Sequence, residues 1–540
     1  MHAGTLAVMF NAAPPLLPDE ATIAQMDPAA LRALLQQYCD RDARRQREIV
    51  WRDAKIDKLN FEIAQLKRLQ YGRRSERLSG EQKALFDEAI EADIAAVEAQ
   101  IEELRATLPR PPSEPKSAPK RAALPAELPR REIRHEPEHT DCSCGAPLKR
   151  IGEDIAEKLD YTPGVFTVER HIRGKWACAH CCTLTQAPVP AAVIDKGIPT
   201  AGLLAQVLVA KHADHLPLYR QEQIFGRAGL AIPRSTLAAW VGQCGAQLQP
   251  LADALKDELL GCAVLHADET PVAMLAPGTG KTHRAYLWAY AAGPTEPIRA
   301  VVYDFAASRS GEHARRFLGH TDPPERPPWV GHLVCDDYRG YDKLFTKGVT
   351  EVGCMAHARR KFVELQAANQ SQIAAEAIEL IRQLYAVERD IRDLDNEERL
   401  RQRQECSAPI AETLQNWLTA QRARVTDGTA TAKAIDYSLA RWTALTRYLA
   451  DARLPIDNNH DEQQIRPWAT GRKNWLFAGT LAAGQRAAAI TSLIQTAKLN
   501  GHDPYVYLKD ELARLPTQRA SRIGELLPHR WAPQAGGAAA

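Results

Sequence analysis

The sequence predicts a multidomain α+β chain whose centre is a mixed α/β sheet interrupted by a long helical insertion. Three observations carry this. At 540 residues the chain is too long for one core. Residues 255–360 read as three consecutive strands followed by alternating helices and strands, the pattern of a mixed sheet with helices on its faces. Residues 361–450 then run almost wholly helical, as in SQIAAEAIELIRQLYAVERDIRDL, before strand-domain features resume at 451–498. Apolar content of 45% and charged content of 25% are those of ordinary globular proteins. No apolar run reaches membrane-spanning length, so no membrane partner is expected.

The N-terminal region, 28–108, has a heptad seam. Ile49, Ile56 and Ile63 recur every seven residues, and Ile90, Ile94, Val97, Ile101, Leu104 and Leu108 alternate four and three apart. Such a seam either pairs two chains as a coiled coil, giving a homo-oligomer, or closes on itself as a hairpin at the Gly72–Gly80 break. Residues 109–135 form a basic linker, with seven prolines between 109 and 131 preventing helix or sheet.

Residues 136–190 carry Cys142 and Cys144, then Cys178 and Cys181, around a segment that alternates like hairpin strands. Paired cysteines of this kind predict a structural zinc ribbon, with Cys182 or His180 as alternatives to Cys181. The total of eleven cysteines is odd, and metal-type pairs suit a reducing cytoplasm better than a disulfide framework. No Lys or Arg precedes the short apolar run at the start, so no signal peptide is expected. Residues 195–250 are helical. Pro233 or Ser235 starts a helix with Leu237, Trp240 and Val241 on its apolar face, matching either a helix-turn-helix or an ordinary core helix.

In the strand region, CAVLHADETPVAML, HRAYLWAYAAG and IRAVVYDFAA read as a three-strand meander. A helix from Ser310, the strand GHLVC, the short helix KLFTKG and the strand VTEVG leading into a basic helix follow. This β-β-β-α-β-α-β-α order is that of a ribonuclease-H-like fold. APGTGKT at 276–282 is not a phosphate loop, because the glycine required at 275 is Leu275 and strand chemistry follows. It reads as a hairpin turn.

Asp268 and Asp336 each follow an apolar, strand-like run, where a carboxylate is costly unless paired, hydrogen-bonded or metal-bound. Glu462 lies on a helix that Asp457 or Asn458 would cap and Pro467 would end. Residues 463–531 hold ten Lys/Arg against four acids, and 499–540 form a basic C-terminal segment. Three converging carboxylates beside basic residues suit divalent cations and a polyanionic substrate.

Taken together, HADETPV (266–272), CDDYRGY (335–341), CMAHARRKF (354–362), IDNNHDEQQIRPWATGRKNWLFAGT (456–480), TAKLNGHDPYVYL (496–508), YGRRSERL (71–78) and the cysteine segment resemble bacterial DDE transposases of the insertion-sequence-sixty-six family. The resemblance spans roughly residues 30–525. It implies Asp268, Asp336 and Glu462 as the catalytic triad holding Mg²⁺ or Mn²⁺. The implied activity is DNA cleavage at element ends and strand transfer into target DNA. DNA is the expected partner, with helper proteins from the same element possible, in a bacterial cytoplasm. Arg359, Arg360 and Lys361, with Arg472 and Lys473 in GRKNW, are the candidate phosphate contacts. Two features depart from the family's pattern: C-x-C at 142–144 in place of C-x-x-C, and Asp337 where a small residue is common. The rival readings are another nuclease of the same fold and an inactive DNA-binding relative.

Overall fold

The computed structural model describes residues 26–71, 80–106, 124–126, 128–137, 141–142, 146–162, 164–194, 197–276, 281–324 and 326–533. Cys144, most of the YGRRSERL segment, most of the proline-rich linker and the tip of the 276–282 turn lie outside these residues.

Two helices, Pro28–Tyr71 and Gly80–Ala106, open the described chain. They pack together through Ile56, Leu59, Ile63 and Ile101, with Ile94, Val97 and Leu104 alongside. The seam therefore closes within one chain over these positions. The second helix is also tied to the rest of the molecule. Asp93 accepts from Arg486 Nη2 at 2.7 Å and from the Thr480 hydroxyl, and Glu88 pairs with Lys211.

A small sheet follows, built from β1 (Arg130–His135), β2 (Leu148–Thr162), β3 (Val165–Cys178) and β4 (Leu184–Gln186). The long β2–β3 hairpin is antiparallel, β4 adds beside the end of β3, and β1 pairs parallel to β3. Three helices come next, Ala201–His212, Leu218–Arg227 and Arg234–Leu259. The last begins directly after Pro233, where the missing N–H costs nothing. Its Leu237, Trp240 and Val241 are buried, and at Gly242 an added Cβ would come within 2.1 Å of the Ala92 carbonyl oxygen. This helix is thus seated in the core along its length.

The main sheet has five strands: β5 (Val264–Ala276), β6 (Lys281–Ala292), β7 (Val301–Ala306), β8 (His332–Cys335) and β9 (Thr350–Gly353), in the order β7-β6-β5-β8-β9. β5, β6 and β7 form the antiparallel meander, while β8 and β9 join in parallel. Apolar side chains cover both faces, with Leu265, Ala267, Trp288 and Tyr290 in one core and Leu287, Ala289, Tyr303 and Phe305 in another. The open edge of β7 is closed by the helix Leu481–Leu499. Thr496 Oγ1 accepts from Val301 N at 3.1 Å, and Ser492 Oγ accepts from Tyr303 N at 2.8 Å. An otherwise exposed edge is thereby satisfied by side chains.

β9 runs into the helix Met355–Asn369, after which the chain folds as helices Gln372–Asp390, Asn396–Gln402, Ala408–Arg422, Ala430–Ala440 and Trp442–Leu445. These share a core with Val264, Val334 and Val352 of the sheet. The chain then returns through the helix Asn459–Trp475 to the sheet. That helix does not end at Pro467, as local rules suggested. It continues to Trp475 because Ile465 and Trp468, on either side of the proline, are buried against the sheet core. Packing here outweighs the one backbone hydrogen bond that proline removes.

Candidate active site

β5 pairs in parallel with β8 through Val264↔His332, Leu265↔Leu333 and His266↔Val334. Carried two residues further, that register sets Asp268 beside Asp336. β5 continues past Asp268 to Ala276 in its hairpin with β6. Asp268 thus stands where the parallel pairing ends rather than where its strand ends. Asp268 Oδ1 accepts from Glu269 N at 2.8 Å, and Asp336 Oδ1 accepts from Tyr338 N at 2.9 Å, which fixes both carboxylates.

Glu462 arrives from the helix Asn459–Trp475, whose placement depends on Asn458. Asn458 occupies the N-cap position, but its side chain makes no capping bond. It reaches inward, donating from Nδ2 to the Ala267 carbonyl at 3.0 Å and pairing through Oδ1 with His266 Nδ1 at 2.7 Å. Its backbone N–H donates to Cys354 Sγ at 3.2 Å. One fully buried residue therefore joins β5, the start of the helix after β9, and the helix of Glu462. The carboxylate of Asp457 takes the helix N-terminus, accepting from Asn459 N at 3.0 Å.

The carboxylates influence one another. Asp268 is pushed up to about 8 by burial first, and then by the charges of Glu269, Asp336 and Glu462. Glu462 lies 3.7 Å from His357 Nε2 and 3.5 Å from Arg360 Nη2. Sequence reasoning missed two further acids. Glu269 is buried and raised by that burial and by Asp336, while Arg309 (Nε–Oε1 2.8 Å, Nη2–Oε1 2.5 Å) and the Tyr341 hydroxyl (2.9 Å to Oε2) hold it. Asp461 is fully buried with neither carboxylate oxygen hydrogen-bonded, and burial plus Asp268, Glu269 and Glu462 raise it well above the ordinary range. The Asp268-Glu269 and Asp461-Glu462 doublets are visible in the sequence, but nothing local indicates that the charges of these acids would act on one another across the fold. Asp337 turns outward, pairing with Arg441 Nη1 at 3.0 Å, while Arg441 Nη2 donates to the Asp336 carbonyl at 3.1 Å.

The candidate phosphate contacts divide. Arg359 and Lys473 are exposed, and Arg360 is exposed but paired with Glu462. The Lys361 ammonium stands 4.2 Å over the Tyr437 ring. Arg472 Nη1 donates to the Pro271 carbonyl at 2.8 Å and to Thr270 Oγ1 at 3.2 Å, pinning its helix to β5. The excess of basic residues after Glu462 is partly spent internally, with Arg486 on Asp93, Arg514 on Asp510, Arg522 on Glu525 and Arg530 on Glu258.

In the small sheet, Cys142, Cys178 and Cys181 bring their sulfurs within 4.8 Å of one another. Cys142 Sγ and Cys181 Sγ are 3.2 Å apart, and Cys178 Sγ accepts from Cys181 N at 3.4 Å. Cys181, rather than Cys182 or His180, completes this set. Thr183, followed by Cys142 and Cys178, lowers the Cys181 thiol to about 6 through hydrogen bonds. Three sulfurs so placed match tetrahedral thiolate coordination of zinc.

Comparison with known proteins decides the relationship. Residues 196–486 match the Transposase IS66 family. The chain belongs to that family. Residues 492–529 match its C-terminal element, 139–182 the zinc-finger binding domain of transposase IS66, and 58–133 the family described as Transposase C of IS166 homeodomain. The chain is 38% identical over 498 residues to the uncharacterized protein y4qI of Sinorhizobium fredii, covering 89% of this chain and 90% of that one. It is 37% identical over 422 residues to y4jD of the same organism, covering 75% of this chain and 81% of that one. As an IS66-family chain it has a transposase role, a zinc-finger domain and DNA as its partner class. Among the described residues no helix is long and apolar enough to cross a membrane.

Proposed function

We propose that this chain binds the ends of an insertion sequence and carries out metal-dependent DNA cleavage and strand transfer at Asp268, Asp336 and Glu462. What supports the reading is the β5–β8 register, which carries Asp268 alongside Asp336, together with the influence on Asp268 of the charge of Glu462, on a helix 126 residues further along the chain than Asp336. The β7-β6-β5-β8-β9 order, meander first and parallel strands after, supports a ribonuclease-H-like fold for this domain. The residues suit a divalent cation. The donors are all carboxylate oxygens, the choice of Mg²⁺ or Mn²⁺, and their mutual repulsion is of the kind that a cation relieves.

Mg²⁺ or Mn²⁺ held by Asp268, Asp336 and Glu462 would, when bound, polarise a phosphodiester and promote loss of a proton from the attacking water or 3′-hydroxyl. The chain's own residues set the stage. Asn458 keeps the helix of Glu462 against β5. Arg309, Tyr341 and Glu269 buttress the strand beneath Asp268. Arg441 draws Asp337 away, leaving Asp336 as the acid on the sheet side. Structural zinc at Cys142, Cys178 and Cys181, with Cys144 the candidate fourth ligand, would hold the small sheet for end recognition. With the seam closed within the chain, a homo-oligomer would use the exposed Leu35, Val50, Trp51 and Phe61 of the first helix.

The test is a nicking and strand-transfer assay with the full chain, using a duplex that carries the element's ends. Nicks at those ends that require Mg²⁺ or Mn²⁺ are expected. Metal-independent cutting, or DNA binding with no cleavage under either ion, would overturn the reading.

A further inference from the structure

Beside the acidic site lies a groove between the helices Met355–Asn369 and Gln372–Asp390. Arg359, Arg360, Arg382, Arg389, Tyr385 and Asn459 line it, and no carboxylate does. The four guanidinium groups are not equivalent. Arg360 is committed to Glu462 at 3.5 Å, and Arg382 forks onto Glu379 (Nε–Oε2 2.7 Å, Nη2–Oε1 2.6 Å). Arg359 and Arg389 are exposed and come from different helices, and among the described residues neither makes an ion pair. They are uncompensated cations on the two walls of one groove.

The groove is fixed in register with the acidic site. Tyr385 donates its hydroxyl to Asp457 Oδ2 at 2.7 Å. The same carboxylate accepts from Asn459 N (3.0 Å) and Asn459 Nδ2 (2.6 Å) at the start of the helix that carries Glu462. The other wall carries His357, 3.7 Å from Glu462. Whatever lies between Arg359 and Arg389 is thus held at a set distance from the carboxylates.

We propose that this groove holds the sugar–phosphate backbone of a DNA duplex beside the acidic site, with Arg359 and Arg389 each neutralising one phosphate. The proposal rests on the transposase reading and gives the helical insertion a part in it. Guanidinium groups suit phosphate because their planar donor fork matches two phosphate oxygens. The one amide in the lining, that of Asn459, is engaged with Asp457, so the groove grips backbone rather than reading bases.

The experiment measures binding of the full chain to a random-sequence duplex across a salt series, for wild type, Arg359→Ala/Arg389→Ala and Arg359→Lys/Arg389→Lys. Each phosphate contact contributes a slope of about −0.9 in log affinity against log salt. The alanine pair should flatten the slope by about 1.8, and the lysine pair should restore it. The thermal midpoint should stay unchanged in both. An unchanged slope in the alanine pair would overturn the proposal. So would a loss of binding that is equal at all salt concentrations, or a wild type that does not bind duplex. A wild type that binds but never nicks would sink the cleavage reading, while the slopes would still decide the groove. If the alanine pair bound DNA normally but lost a protein helper, the groove would be a protein-docking surface and this assignment would fall.

Discussion

The cysteine site and the acidic site handle close approach of their donors in opposite ways. Cys142, Cys178 and Cys181 stand with their sulfurs within 4.8 Å of one another, whereas among the described residues the carboxylates of Asp268, Asp336 and Glu462 do not close to that distance. Sulfurs can approach closely when hydrogen bonds carry the contact, as Cys142 Sγ and Cys181 Sγ do at 3.2 Å with Thr183 also bonded to Cys181. At the acidic site burial, and then repulsion from Glu269, Asp336 and Glu462, raises Asp268 to about 8. The cysteine site therefore follows the needs of folding. The acidic site is kept against its own electrostatics by Asn458, Arg309 and Arg441, and this cost in stability points to function.

The comparison breaks first on chemistry. Asp268→Asn, Asp336→Asn and Glu462→Gln should each reduce nicking on the order of 10³-fold or more, while DNA binding stays near wild type. Gel-based nicking and anisotropy read the two quantities separately. Asp337→Ala should cost far less, since its carboxylate already faces Arg441. An equal loss at 336 and 337 would reassign the site.

Next in size is the zinc site. Cys178→Ser with Cys181→Ser should abolish the roughly one zinc per chain expected in elemental analysis. Selective binding to element ends should go with it, while random duplex is still bound. Zinc retained at full occupancy in this variant would remove Cys178 and Cys181 from the ligand set.

A lone buried acid sharpens the contrast with the cluster. Glu511, in the helix Pro504–Arg514, is fully buried with both carboxylate oxygens unpartnered, and burial pushes it up to about 9. A raised carboxyl pKa means that the folded state holds a proton the unfolded chain releases. Its contribution is complete below about pH 4.5 and is lost as pH rises toward 9. Glu511→Gln should match wild-type stability near pH 4.5 and exceed it by up to about 3 kcal/mol at neutral pH. Denaturant melts across that range measure the difference. A pH-independent difference would show that Glu511 has an unseen partner.

Local reading of the sequence had a clear reach. The strand runs Cys262–Leu265 and Leu333–Cys335, each followed by an acid, stand out because apolar runs and their endings are local signals. What it missed depends on partners far along the chain. Arg486 adds to the count of basic residues in 463–531, yet it is buried on Asp93, 393 residues away in sequence. Arg472 resembled a phosphate contact but donates to the Pro271 carbonyl, 201 residues back. Pro467 predicts a helix end, yet Trp468 and Ile465 pack on the sheet and the helix continues to Trp475. Asn458 looked like a cap, yet its side chain turns inward to His266 and Ala267. In each case tertiary contact overrode a sound local rule.

The most direct test of the acidic centre is cation binding itself, measured without DNA. Mn²⁺ is titrated calorimetrically into the zinc-loaded full chain and into Asp268→Asn, Asp336→Asn and Glu462→Gln, with thermal melts confirming that each variant is folded. The account predicts Mn²⁺ binding in the wild type that is lost or at least tenfold weaker in every variant. Wild-type affinity retained in all three would contradict it.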